Sequence, residues 1–80
     1  MSVRATLYTK PGCHLCEQAE ELLDELRRDY ELHVNAIDIT SDLATFERFK
    51  YEIPVVDVQG GGTVSGRIGA EQLRQALAAR

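Results

Sequence analysis

The sequence predicts an α/β fold: a four-stranded mixed sheet with three flanking helices, in the order β-α-β-α-β-β-α. Three observations carry this expectation. Val3 to Tyr8 alternate apolar and polar side chains with the two-residue period of a strand. From Cys13 the apolar residues recur at three- and four-residue steps, the period of an amphipathic helix. Further on, Gly60-Gly61-Gly62 separates two short runs rich in β-branched residues, as a hairpin turn does.

Each element follows from local chemistry. In the first strand Val3, Ala5 and Leu7 alternate with Arg4, Thr6 and Tyr8, and Lys10-Pro11-Gly12 then breaks the extended run. The first helix aligns Leu15, Cys16, Ala19, Leu22, Leu23, Leu26 and Tyr30 on one face, with Glu17, Glu20, Glu21, Asp24, Glu25, Arg27 and Arg28 on the other. Its acids come early and its arginines late, which suits the helix dipole. Leu32 to Ile39 carries branched apolar residues interrupted by His33, Asn35 and Asp38, the composition of a strand near a sheet edge. Thr40 or Ser41 is expected to cap a shorter helix that ends around Lys50, with Phe46 and Phe49 in the core. Pro54 to Val58 and Thr63 to Ile68 form the hairpin, and Ala70 to Ala79 closes the chain as a helix that buries Leu73, Ala76 and Leu77. The first two strands should pair in parallel through a right-handed crossover, and the hairpin should add two antiparallel strands to the same sheet. With no linker or repeat, residues 1–80 read as a single domain.

Composition narrows the function classes. The chain has 80 residues, 44% apolar and 28% charged, and no apolar run near the roughly 20 residues of a membrane span. Nine Lys and Arg against thirteen Asp and Glu give a net charge of −4, which opposes nucleic acid and anionic lipid as partners. MSVRATLY lacks the basic, apolar and small-residue order of a secretory leader, so a cytoplasmic protein is expected; separately, it is expected to be a monomer. In that compartment a close cysteine pair is more often catalytic or metal-binding than a structural staple.

That pair is Cys13 and Cys16, within TKPGCHLCEQ. At a strand-to-helix junction, unpaired N–H groups and the positive end of the dipole stabilise a Cys13 thiolate. Lys10 adds positive charge nearby, and a protonated His14 would favour the thiolate further. Cys16 lies one turn on, on the buried stripe, within reach of a disulfide. An exposed nucleophile with a shielded resolving thiol suits stepwise thiol–disulfide exchange. Three alternatives stand beside it: inert core cysteines, a non-catalytic module binding zinc or a bridged iron–sulfur cluster, and a protein-binding adaptor that retains the fold. A zinc site needs four ligands, usually with a second close pair, and the other candidates, His14 and His33, do not form one, so no metal site is expected.

With the strand, Y-T-K-P-G-C-x-x-C, the helix after it and Ile53-Pro54-Val55-Val56 in view, the chain resembles the glutaredoxins of the thioredoxin superfamily over nearly its whole length. It is most similar to small glutaredoxin-like proteins whose pair reads C-H-L-C. The resemblance implies a thioredoxin-like, glutaredoxin-type fold and thiol–disulfide oxidoreductase activity. In this reading Cys13 is the nucleophile, Cys16 the resolving cysteine and Lys10 the family's upstream lysine. Pro54 takes the cis-proline role, and Ile53 pairs with substrate backbone. It implies no tightly bound cofactor, a disulfide-containing protein or small molecule as substrate, and glutathione or a thioredoxin reductase as electron donor, with glutathione then a co-substrate.

Two departures matter. Dithiol glutaredoxins carry Pro-Tyr between the cysteines where this chain has His14-Leu15, so their redox poise does not transfer. Their glutathione-binding stretch before the last helix corresponds here to Ser65-Gly66-Arg67-Ile68-Gly69-Ala70-Glu71, in which Gly69 and Glu71 are the nearest equivalents. Glu52 would repel the carboxylates of glutathione. Ser65-Gly66 is similar to the step found in redoxins reduced by thioredoxin reductase.

Overall fold

The computed structural model describes residues 2–79. Its elements run β1 (Val3–Thr9), α1 (His14–Leu26), β2 (Leu32–Asp38), a 3₁₀ turn (Ile39–Ser41), α2 (Leu43–Phe49), β3 (Val55–Val58), β4 (Gly62–Ser65) and α3 (Ala70–Ala79). They form one four-stranded sheet in the order β2-β1-β3-β4. β1 pairs with β2 in parallel and with β3 antiparallel, and β3 pairs antiparallel with β4. The mixed sheet and the element order agree with the sequence reading, including the edge position of β2.

The strand period decides what is buried. Val3, Ala5 and Leu7 of β1 point to one face, where Val56 and Val58 of β3 join them. Ala19, Leu23 and Leu26 from α1 and Leu73, Ala76 and Leu77 from α3 complete the same cluster, so both helices cover this face. Each leucine sealed here contributes about 1.5–3 kcal/mol of transfer free energy. The opposite face carries Arg4 beside His33 and Thr6 between Asn35 and Asp57, and it stays largely polar.

α2 departs from the expectation. None of its residues is fully buried: Phe46 and Phe49 are half-buried, and Leu43 is 75% exposed. The helix has only seven residues, too short to cover the polar face, and it holds the sheet's end by stacking Phe49 on Tyr8 at 4.2 Å between ring centroids. Its cap also differs. The buried Ile39 draws the chain into the 3₁₀ turn, where Asp38 accepts from the Thr40 amide (2.9 Å) and hydroxyl (2.7 Å). Ser41 donates its hydroxyl to the Asp38 carbonyl at 2.7 Å, so Thr40 and Ser41 are both engaged before α2 starts. Asp42 becomes the N-cap, accepting from the Thr45 amide at 3.0 Å and its hydroxyl at 2.7 Å.

Other boundaries shift for identifiable reasons. α1 stops at Leu26 rather than Tyr30 because its last turn tightens into bonds from Arg28 to Glu25 and from Asp29 to Leu26, bringing Tyr30 round to the core. β3 starts at Val55 because Pro54 has no N–H for the ladder. β4 ends at Ser65 because Gly66, at φ +73°, turns its amide onto the Pro54 carbonyl at 2.9 Å.

Gly61 serves a different need: α3 presses so closely here that a Cβ would overlap the Ala76 carbonyl oxygen. Gly61→Ala should therefore lower stability by about 1–3 kcal/mol, seen as a reduced urea midpoint with an unchanged m-value.

The Asp38 and Asp42 carboxyls are both held below the ordinary carboxylate range, chiefly by the hydroxyl of Thr40 and of Thr45 and then by the same residues' amides. A depressed folded-state value adds stability that is complete above the unfolded value and lost as pH falls through the folded one. The destabilisation caused by Asp38→Ala with Asp42→Ala should thus be present at neutral pH and shrink as the solution is acidified below the carboxylate range, as urea titrations across that range would show.

Candidate active site

The site forms where β1 ends and α1 begins. Gly12 takes φ +78°, and the Cys13 amide donates to the Lys10 carbonyl at 3.2 Å, which closes the Lys10-Pro11-Gly12 turn. Cys13 leaves that turn in an extended conformation and acts as the N-cap of α1 rather than its first helical residue. Its carbonyl accepts the Glu17 amide at 3.1 Å, and its Sγ accepts the Cys16 amide at 3.2 Å. A sulfur therefore fills the place where Ser, Thr, Asp or Asn usually caps a helix. The same amide and the helix dipole favour negative charge on that sulfur when the thiol is free.

Cys16 belongs to the first turn of α1 and is 1% exposed, whereas Cys13 is half-buried. The two are joined as a disulfide with 5.2 Å between their Cα atoms, within the range that such a bridge spans without backbone movement. A shallow cleft beside Cys13 is lined by Thr9, Lys10, Pro11, Glu17, Glu20 and Asp38, placing one cation among three carboxylates. Among the described residues no group of three or more His, Cys, Asp or Glu is arranged to hold a metal ion.

The register brings a second wall to the same end of the sheet. Tyr8 of β1 stands opposite Val55 of β3, so Thr9 and Pro54 are the next residues along the two chains. Pro54 is buried, and its bond to Ile53 is cis. Ile53 is half-buried, and its amide already donates to the Phe49 carbonyl at 3.1 Å. Among the described residues its own carbonyl accepts no backbone hydrogen bond.

The remaining candidates are placed differently. Lys10 is exposed in the turn before Cys13. His14 is also exposed; its Nε2 lies 3.2 Å from Gln18 Nε2 and its Nδ1 3.9 Å from the Glu17 carboxylate, so the ring engages the helix surface. Gly69 immediately precedes α3, and its N–H donates to Gln72 Oε1 at 2.8 Å. Glu52 is exposed on the approach to Pro54. Sequence reasoning missed Asp38 and Glu20, which enter the cleft from the end of β2 and from α1. It also missed Phe49, which reaches the Ile53 loop through its backbone carbonyl, a contact that no side-chain pattern announces.

A parallel-antiparallel sheet with a C-x-x-C pair at the first strand-to-helix junction, and a cis-proline just before the third strand at the same end, defines a thioredoxin-fold protein with a paired-cysteine site. The chain belongs to the glutaredoxin-like domain (DUF836) family, whose sequence model matches residues 4–78. It is similar in structure to the target protein XcR50 from X. campestris, with a TM-score of 0.81 and 30% identity over 95% of this chain and 97% of that one. A mutant of the thioredoxin-like protein BC3987 gives a TM-score of 0.71 and 25% identity over 95% and 96% of the two chains. A malarial protein shares the fold at 12% identity, with a TM-score of 0.77 over 98% of this chain and 96% of its own.

The unequal exposure of the two cysteines has a direct consequence. After reduction under native conditions, iodoacetamide should modify Cys13 first and Cys16 only on unfolding, as mass spectrometry of quenched samples would show. Equal labelling of both would contradict this geometry.

Proposed function

We propose that the protein is a thiol–disulfide oxidoreductase that reduces or exchanges disulfides through Cys13 and Cys16. One observation carries the reading: Cys13 is the reachable sulfur and receives the Cys16 amide, while Cys16 is sealed one turn behind it at bridging distance. The Cys13 thiolate attacks one sulfur of a substrate disulfide, forming a mixed disulfide and releasing the other substrate sulfur as thiolate. Cys16, once deprotonated, attacks Cys13 Sγ and expels the bound substrate thiolate, leaving the Cys13–Cys16 disulfide. Two electrons pass to the substrate, and an external donor returns them to the pair.

Lys10 contributes positive charge at the mouth of the site, and the Ile53–Pro54 segment presents backbone to the substrate. Glutathione and a flavin-dependent thioredoxin reductase are the two candidate donors. Carboxylates at Glu17, Glu20, Asp38 and Glu52, together with a Gly69 amide committed to Gln72, speak for the reductase. In this reading glutathione is a weak co-substrate, and no cofactor is resident.

Coupled assays with each donor test the proposal. Disulfide reduction should be supported by at least one donor, fall to background in Cys13→Ser, and stall as a trapped mixed disulfide in Cys16→Ser. The Cys13 thiol of the reduced protein should titrate below free cysteine, because the Cys16 amide and the start of α1 favour its thiolate, with alkylation accelerating as pH rises through its midpoint. Silence with both donors and an unshifted thiol would sink the enzyme reading.

A further inference from the structure

Phe49 lies outside the cysteine site, yet it connects to that site twice. Its ring stacks on Tyr8 with an interplanar angle of 23°. Its carbonyl accepts the Glu52 amide at 2.8 Å and the Ile53 amide at 3.1 Å. Tyr8 is the residue opposite Val55, the first residue of β3 after Pro54. The contacts therefore close a ring: Phe49 to Tyr8 across the stack, Tyr8 to Val55 across the ladder, then back through Pro54 and Ile53 to the Phe49 carbonyl.

We propose that Phe49 is a positioning residue for disulfide substrates, holding the Ile53–Pro54 segment in place and committing the Ile53 amide so that its carbonyl alone is offered to the substrate backbone. The inference rests on the oxidoreductase reading. The stack is the arm of this ring that a side-chain change can remove. No α2 side chain is fully buried, so the stack is a main tie of its last turn to the sheet, and losing it loosens the carbonyl that holds Glu52 and Ile53. A substrate segment would then meet an Ile53 carbonyl of variable direction. The chemistry at Cys13 depends on α1 and the Lys10–Gly12 turn, and neither includes Phe49. The substrate this fits is a disulfide whose cysteine carries a backbone N–H able to donate to Ile53.

The test uses pre-reduced full-length protein mixed with excess of a synthetic peptide containing one disulfide, so that no electron donor enters. Phe49→Leu should raise the half-saturating peptide concentration about three- to tenfold, the worth of one backbone hydrogen bond, with a much smaller change in the limiting rate. The pH profile of Cys13 alkylation should keep its midpoint. Phe49→Tyr, which retains the stacking ring, should restore saturation behaviour, and Tyr8→Leu should reproduce the Phe49→Leu effect without adding to it in the double variant. An unchanged half-saturation in Phe49→Leu overturns the inference, as does a loss confined to the limiting rate or a shifted alkylation midpoint. Wild-type protein that reduces no disulfide removes the oxidoreductase reading itself, a result distinct from active wild-type protein with an indifferent Phe49.

Discussion

The first amides of α1 have no partner within the helix, and the way they are satisfied organises the molecule. A helix start leaves several N–H groups bare, and here one of them turns to the sulfur of Cys13. This requires the chain to leave β1, reverse through Gly12 at positive φ, and arrive at Cys13 in an extended conformation. It also fixes the rotation of α1, which puts Cys16, Ala19 and Leu23 on the buried stripe. Packing of that stripe against β1 and β3 then holds the cap in place. Core and site therefore support one another: the residues that bury α1 also seal Cys16 behind Cys13.

The two faces of the sheet are used unequally. One is covered by α1 and α3, pressed so tightly at the hairpin that only glycine fits at position 61. The other keeps its polar rows and receives only the short α2 at one end. That end is the one where Cys13 and Pro54 lie, so the lightly anchored helix borders the cysteine pair while the densely packed helices stay behind it. Rigid packing holds the cysteine pair, and a segment with few buried contacts holds the Ile53–Pro54 surface beside it. Local stability commonly divides in this way between a scaffold and its binding loops.

Charge adds a further constraint on partners. The cleft beside Cys13 gathers Glu17, Glu20 and Asp38 around a single Lys10, and Glu52 stands on the approach to Pro54. Gly69, the nearest match to a glutathione-holding glycine, spends its amide on Gln72. These features disfavour a multiply charged anionic thiol and leave the Ile53 carbonyl as the open backbone group near the pair. They are consistent with the departures at His14-Leu15 and at residues 65–71, where the sequence leaves the usual glutaredoxin pattern.

Much of this was legible in the sequence because it is written in neighbouring residues. The alternation in Val3–Tyr8, the helical stripe after Cys13, the Gly-rich hairpin and the C-x-x-C pair depend on short local spacings, and each specified its element without outside help. The α2 region was not legible. Thr40, Ser41 and Asp42 can all cap a helix, and the burial of Ile39 decided among them by diverting the first two into a preceding turn. Phe46 and Phe49 have a helical period but no information about how far the sheet extends beneath them, so a core assignment was reasonable and incorrect. By itself, then, the sequence determined the order of elements and the address of the dithiol, through local periodicity and turn chemistry. The tertiary structure alone decided which cap α2 uses, which sheet face stays open and which backbone groups remain free near Pro54, because each depends on contacts between residues distant along the chain.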